Sequence, residues 1–191
     1  MPFRNAPSSS PMALAADFAL RFWPADMPRP LVVAILDSQD EREGRTTAVV
    51  TEPFVYDHLA SAAEVAVPGG FVTDFASIPA VARGLFPPFG RHAKAAVLHD
   101  WLYQVGEPHM KAFADRVFLD AMAELKVSVW RRYAMFFAVK IGGGGGYRKE
   151  HTTWRLGFRD WHTGDAASPP GDRTAFYSAK WPKPPRPGYR P

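Results

Sequence analysis

Cysteine is absent from the 191 residues. That excludes a disulfide framework, a thiolate metal site and thiol catalysis together. Long apolar runs are absent too, and the longest stretches fall well short of the roughly 20 residues that span a bilayer. The start, Met1-Pro2-Phe3-Arg4-Asn5, lacks the basic opening and continuous apolar segment of a signal peptide, so a cytoplasmic site of synthesis is expected. No internal repeat is visible. What remains is 47% hydrophobic and 22% charged, enough for one domain with a real core.

The formal charge of +4 is localised. From Ser168 to Pro191 the basic residues are Arg173, Lys180, Lys183, Arg186 and Arg190, against the single acid Asp172, so the rest of the chain is neutral overall. The pI near 9.5 therefore reflects a proline-rich tail and does not point to a nucleic-acid binder. The tail reads either as a solvated terminus or as an extended arm that docks on assembly partners. Trp181, Lys183, Arg186 and Tyr189 are its candidate contacts, since a purely solvating segment carries few aromatics.

Residues 1–12 read as a flexible lead-in, 13–147 as one α+β domain, and 148–191 as an aromatic, basic, proline-rich arm. Apolar runs cover 13–23 and 31–36, the second a strand by its valine and isoleucine content. Further strands are expected over 46–50, 52–56, 63–67 and 71–73, with Pro53 setting its strand at an edge or a bend. Together they form a small antiparallel, meandering sheet over 31–75. Three helices follow between 91 and 141: one ending at Gly106, one carrying Phe113, Val117, Phe118, Met122 and Leu125, and one over 129–141. The third, with Tyr133, Phe136 and Phe137 among Arg131, Arg132 and Lys140, could lie on a membrane or a nucleic acid, but a core helix with a basic solvent edge is the expected reading. Gly142 to Gly146 follows a helix with no lysine–serine/threonine pair after it, so it is a hinge and not a phosphate loop.

Two constellations carry chemistry. The loop Gly70-Phe71-Val72-Thr73-Asp74-Phe75-Ala76-Ser77-Ile78-Pro79 offers carboxylate, hydroxyl and backbone oxygens. Such a set suits a hard divalent cation, calcium before zinc, but taken alone the loop favours Asp74 or Ser77 as a cap on the next backbone turn. The second is His99-Asp100-Trp101-Leu102-Tyr103. His99 shares a helical face with Ala95, Ala96, Leu102 and Tyr103, so it points inward, while Asp100 lies about 100° round the helix and faces a loop or a bound ion. Asp115 stands on the apolar side of the next helix with Phe118, Leu119 and Met122. A His99–Asp115 pair follows, either a general base with its orienting carboxylate or a buried pair fixing helix register. His58, His92, His109, His151 and His162 show no i,i+4 pairing, so a zinc helix is not expected.

Four segments, Thr51-Glu52-Pro53-Phe54-Val55-Tyr56, Val67 to Pro79, Ala95 to Tyr103 and Ala114-Asp115-Arg116-Val117-Phe118, resemble the domain of unknown function 1353 family of bacteria, bacteriophages and prophages. The resemblance runs from about residue 48 to 142 and implies a phage- or prophage-type protein with no assigned activity. The order Asp74, His99-Asp100, Tyr103, Asp115, Phe118 is also similar to the phospholipase A2 pattern. That likeness implies His99 as general base on water, Asp115 and Tyr103 supporting it, and Asp100 with loop oxygens holding calcium. The chain departs from that pattern in lacking cysteine, in its loop glycine spacing and in the sheet before the helices. Two functions follow as expectations: a metal-assisted hydrolase of an ester or amide, with a cell-envelope substrate, or a non-enzymatic virion component of the tail or neck, its termini docked on neighbouring subunits.

Overall fold

Ala63–Val67 alternates small or apolar residues with Glu64 and Ala66, the period-two pattern of a strand with one face in the core. It pairs antiparallel with Phe54–His58 through the four-residue turn 59–62, where Ala62 takes the left-handed conformation at φ 52°. A computed structural model describes residues 3–5 (backbone only), 30–36, 47–75, 90–106, 109–142, 147, 157–160, 165 and 167. Within them the strands are β1 (Phe3–Asn5), β2 (Val33–Leu36), β3 (Thr47–Val50), β4 (Phe54–His58), β5 (Ala63–Val67) and β6 (Val72–Thr73). The helices are α1 (Ala93–Val105), α2 (Lys111–Glu124) and α3 (Val129–Gly142). The chain is thus α+β, antiparallel strands followed by three helices, as expected.

The meander is divided into two three-stranded sheets, ordered β1-β4-β5 and β2-β3-β6. Thr51 to Pro53 breaks the run between β3 and β4, and proline cannot supply a ladder N–H there. Pro53 accordingly sits at the bend into β4, which is the central strand of its sheet and not an edge. Phe3–Asn5, within the stretch read as a lead-in, forms the outer strand, with Phe3 opposite Tyr56. Phe158, beyond the glycine run, bridges to Phe71 and is fully buried. Its ring lies 6.2 Å from Phe71 and 6.1 Å from Trp101, so a residue of the presumed arm closes one end of the core. Gly70, at φ +83°, makes that approach possible: a β-carbon there would meet the Arg159 carbonyl at 3.3 Å.

The helices bury unequal shares of themselves. α1, alanine-rich and short-sided, is buried over most of its surface and ends where the Gly106 N–H donates to the Leu102 carbonyl at 2.9 Å. α2 lies between α1 and α3 and buries one face, Ala114, Asp115, Val117, Phe118, Ala121 and Met122 among it. α3 departs from expectation. Its buried residues are Met135 and Val139, and Trp130, Tyr133 and Phe137 turn outward while Phe136 is half-buried, because the helix has α2 on one side and no described element on the other. Among the described residues no helix is long and apolar enough to cross a membrane.

Candidate functional site

Helical spacing brings His99 of α1 and Asp115 of α2 together where the two helices pack. His99 Nε2 lies 3.0 Å from Asp115 Oδ1, and the Tyr103 hydroxyl, one turn on from His99, donates to the same oxygen at 2.6 Å. The other oxygen accepts from Lys111 Nζ at 2.8 Å, and that ammonium also donates to the Val139 carbonyl of α3 at 3.3 Å. One carboxylate therefore collects three donors. The His99 ring is held between Tyr103 and Phe118, at centroid distances of 4.0 and 4.8 Å. His99 is 1% and Asp115 3% exposed, so the cluster is an interior one.

Burial and pairing oppose each other here. Burial alone raises the Asp115 carboxyl pKa, but the hydrogen bonds from His99, Lys111 and Tyr103 outweigh it and hold the group below its usual value. For His99 burial is the larger influence and lowers the pKa, against the opposite pull of Asp115; the Lys111 charge adds to the lowering. Burial, then the hydrogen bond to Asp115, pushes the Tyr103 hydroxyl up, so it stays a donor. Near neutral pH the cluster holds an Asp115–Lys111 ion pair beside a neutral imidazole. An ionised carboxylate only accepts, so Nε2 carries the ring proton and Nδ1 the lone pair.

Asp100, the next residue of α1, points elsewhere, as its position on the helix requires. Thr73 Oγ1 donates to its Oδ2 at 2.6 Å, and the Phe75 N–H donates to the same hydroxyl at 3.2 Å. Phe75 sits at φ 51°, a left-handed conformation that is costly for an aromatic residue. Thr73 thus ties the strained loop to α1. Thr73→Val, which keeps shape and removes the hydroxyl, is expected to cost about 1–2 kcal/mol in urea unfolding, as befits a hydrogen bond to a charged acceptor. An unchanged midpoint would show that Asp100 finds its partner elsewhere.

Among the described residues no three His, Asp or Glu side chains converge, and the expected cation group of Asp74, Ser77 and Asp100 includes a residue outside them. Asp74 is partly buried, and Ser77 lies outside the described residues, as do Trp181, Lys183, Arg186 and Tyr189 of the arm. Thr73, one place before the aspartate singled out in the sequence, reaches Asp100. Lys111 was also missed, although its i,i+4 spacing to Asp115 is a readable signal.

A second polar cluster joins the β4–β5 hairpin to α2. His58 Nδ1 is 2.6 Å from Ser61 Oγ, and Nε2 is 3.1 Å from Asp120 Oδ2, which also accepts from Arg116 Nε at 2.9 Å. Burial raises the Asp120 pKa, but the bonds from His58 and Arg116 prevail and leave it lowered. The His58 ring meets Phe113 edge-on at 5.7 Å. This arrangement clamps the hairpin to the helix, and the chain separation of 62 residues between His58 and Asp120 hid it from spacing arguments.

Residues 48–139 match the DUF1353 family, described as a protein of unknown function. The DUF1353 segment runs from β3 nearly to the end of α3 and contains His99, Asp115, Tyr103, Lys111, Asp100 and Thr73. It leaves out β1, β2 and Phe158, which complete the two sheets and the core. No curated protein and no solved structure matches the chain, so the phospholipase A2-like order of residues gains no support from comparison.

Proposed function

We propose that His99, Asp115 and Tyr103 form a hydrolytic centre acting on an ester or amide. The observation that carries this reading is the 3.0 Å contact of His99 Nε2 with an ionised Asp115 that Tyr103 and Lys111 hold in place. It commits the proton to Nε2 and leaves Nδ1 basic. Water attacks the carbonyl carbon and gives a proton to Nδ1; the imidazolium then returns it to the departing alkoxide or amine, and the acid and alcohol or amine leave. Asp115 stays ionised and offsets the transient charge on the ring. Burial holds the base below its ordinary pKa, and Lys111, which keeps Asp115 ionised, adds to that lowering by opposing a second cation nearby. In a phage- or prophage-type protein the substrate would belong to the cell envelope.

The near-complete burial of His99 favours a second reading, in which the pair is architecture and the protein is a virion component. A panel of p-nitrophenyl esters, phosphatidylglycerol vesicles and purified peptidoglycan, followed by mass spectrometry of products, separates the two. Hydrolysis of one of them by the wild type, reduced at least about 100-fold in His99→Gln, is the expected result. Turnover that survives His99→Gln, or none on any of the three, would sink the hydrolase.

A further inference from the structure

α3 presents a face that the core does not use. At 100° per residue, Trp130, Phe137 and Ile141 fall within about 40° of one another, opposite the buried pair Met135 and Val139. They are 62%, 52% and 86% exposed, and Tyr133 widens the ridge. A contiguous ridge of this kind, over about 17 Å of helix, is not the scattered exposure normal for a surface. Its flanks are cationic. Arg131 lies over the Trp130 ring at 5.3 Å on one side, and Lys140 over the Phe136 ring at 5.8 Å on the other. The helix contains no acidic residue.

From the ridge and its flanking charges we infer that α3 docks the protein on an anionic phospholipid surface. The ridge enters the boundary between acyl chains and headgroups, where tryptophan and tyrosine rings are favoured, and Arg131 and Lys140 meet lipid phosphates. A second copy is the poorer occupant: packing this face on itself would set arginines against arginines with no acid on either helix. The inference does not depend on the hydrolytic reading. Its link to the cluster is one hydrogen bond, from Lys111 Nζ to the Val139 carbonyl on the inner side of α3.

The test is co-sedimentation of the full chain with vesicles of phosphatidylcholine and phosphatidylglycerol at 7:3, and with phosphatidylcholine alone. Wild-type protein should partition at least about tenfold more strongly onto the anionic vesicles. Arg131→Glu/Lys140→Glu and Phe137→Ser/Ile141→Ser should each lower that partition by at least about tenfold. All the substituted residues are exposed to solvent, and an unchanged melting temperature verifies the fold. Failure of the wild type to bind the anionic vesicles would overturn the inference. So would binding that both double variants retain, which would place it on other basic residues. A light-scattering dimer that Phe137→Ser/Ile141→Ser converts to a monomer would assign the face to a second copy instead.

Discussion

Asp115→Ala is expected to destabilise the fold by about 3–5 kcal/mol, the cost of removing one partner from a buried charged group. Three donors lose their acceptor at once: His99 Nε2, the Tyr103 hydroxyl and Lys111 Nζ. Lys111 is the least affected, since its side chain is 25% exposed and can turn to water. His99 and Tyr103 cannot, and each buried polar group left without a partner costs about 1–3 kcal/mol. Asp115→Asn keeps the volume but removes the charge and one acceptor oxygen, so a smaller loss is expected. Lys111→Met should be milder still alone, and combined with Asp115→Asn should cost less than the sum of the two, because the pair no longer leaves an uncompensated charge. Urea midpoints of the four proteins check this. Strict additivity would mean that the 2.8 Å ion pair contributes nothing in solution.

Acid should weaken the fold earlier than carboxylate titration alone would. His99 has its folded-state pKa lowered from 6.5 by burial, so between 6.5 and that lower value the unfolded chain binds a proton that the folded one does not. Stability therefore rises with pH through this window, is fully present above 6.5, and is lost as pH falls. The slope from this one group reaches at most about 1.4 kcal/mol per pH unit. Asp115, also lowered, adds its own loss below its unfolded value of 3.8, as the pH falls towards the folded one. Chemical denaturation from pH 8 to 4 should show the upper slope in wild type and a shallower one in His99→Gln. The same group sets the acid limb of kcat/KM, which should have its midpoint below 6.5. A limb at or above 6.5, or parallel stability slopes in the two proteins, would mean that His99 is not the buried neutral base described above.

The parts of this site that were readable in the sequence are those carried by one helix turn at a time. Three- and four-residue spacings put His99 on the apolar face of α1 and Asp115 on that of α2, and a short connection made the two helices neighbours. Lys111 followed the same rule and was overlooked only because charged residues at i,i+4 usually mark a solvated face. The Thr73–Asp100 bond joins a strand to a helix 27 residues on, where no periodicity operates. The division of the strands was hidden for a similar reason. β1 pairs with a strand some fifty residues later, and Phe158 enters the core from beyond five glycines, so local pattern says nothing of either. α3 reads as a core helix with a basic edge, yet it buries only Met135 and Val139 among the described residues. Its aromatics recur along both the inner and outer sides, and only the position of α2 decides which side is covered.

A general base must meet water and substrate, and at 1% exposure His99 can do so only when the packing above it opens. Carbethoxylation of the native, full-length chain by diethyl pyrocarbonate at pH 7, with His99 followed by peptide mass spectrometry, measures that access directly. The hydrolytic account predicts modification at His99 far faster than global unfolding, with the rate falling as the pH drops below 6.5. Protection of His99 until the whole chain unfolds would contradict it and leave the His99–Asp115 pair as architecture.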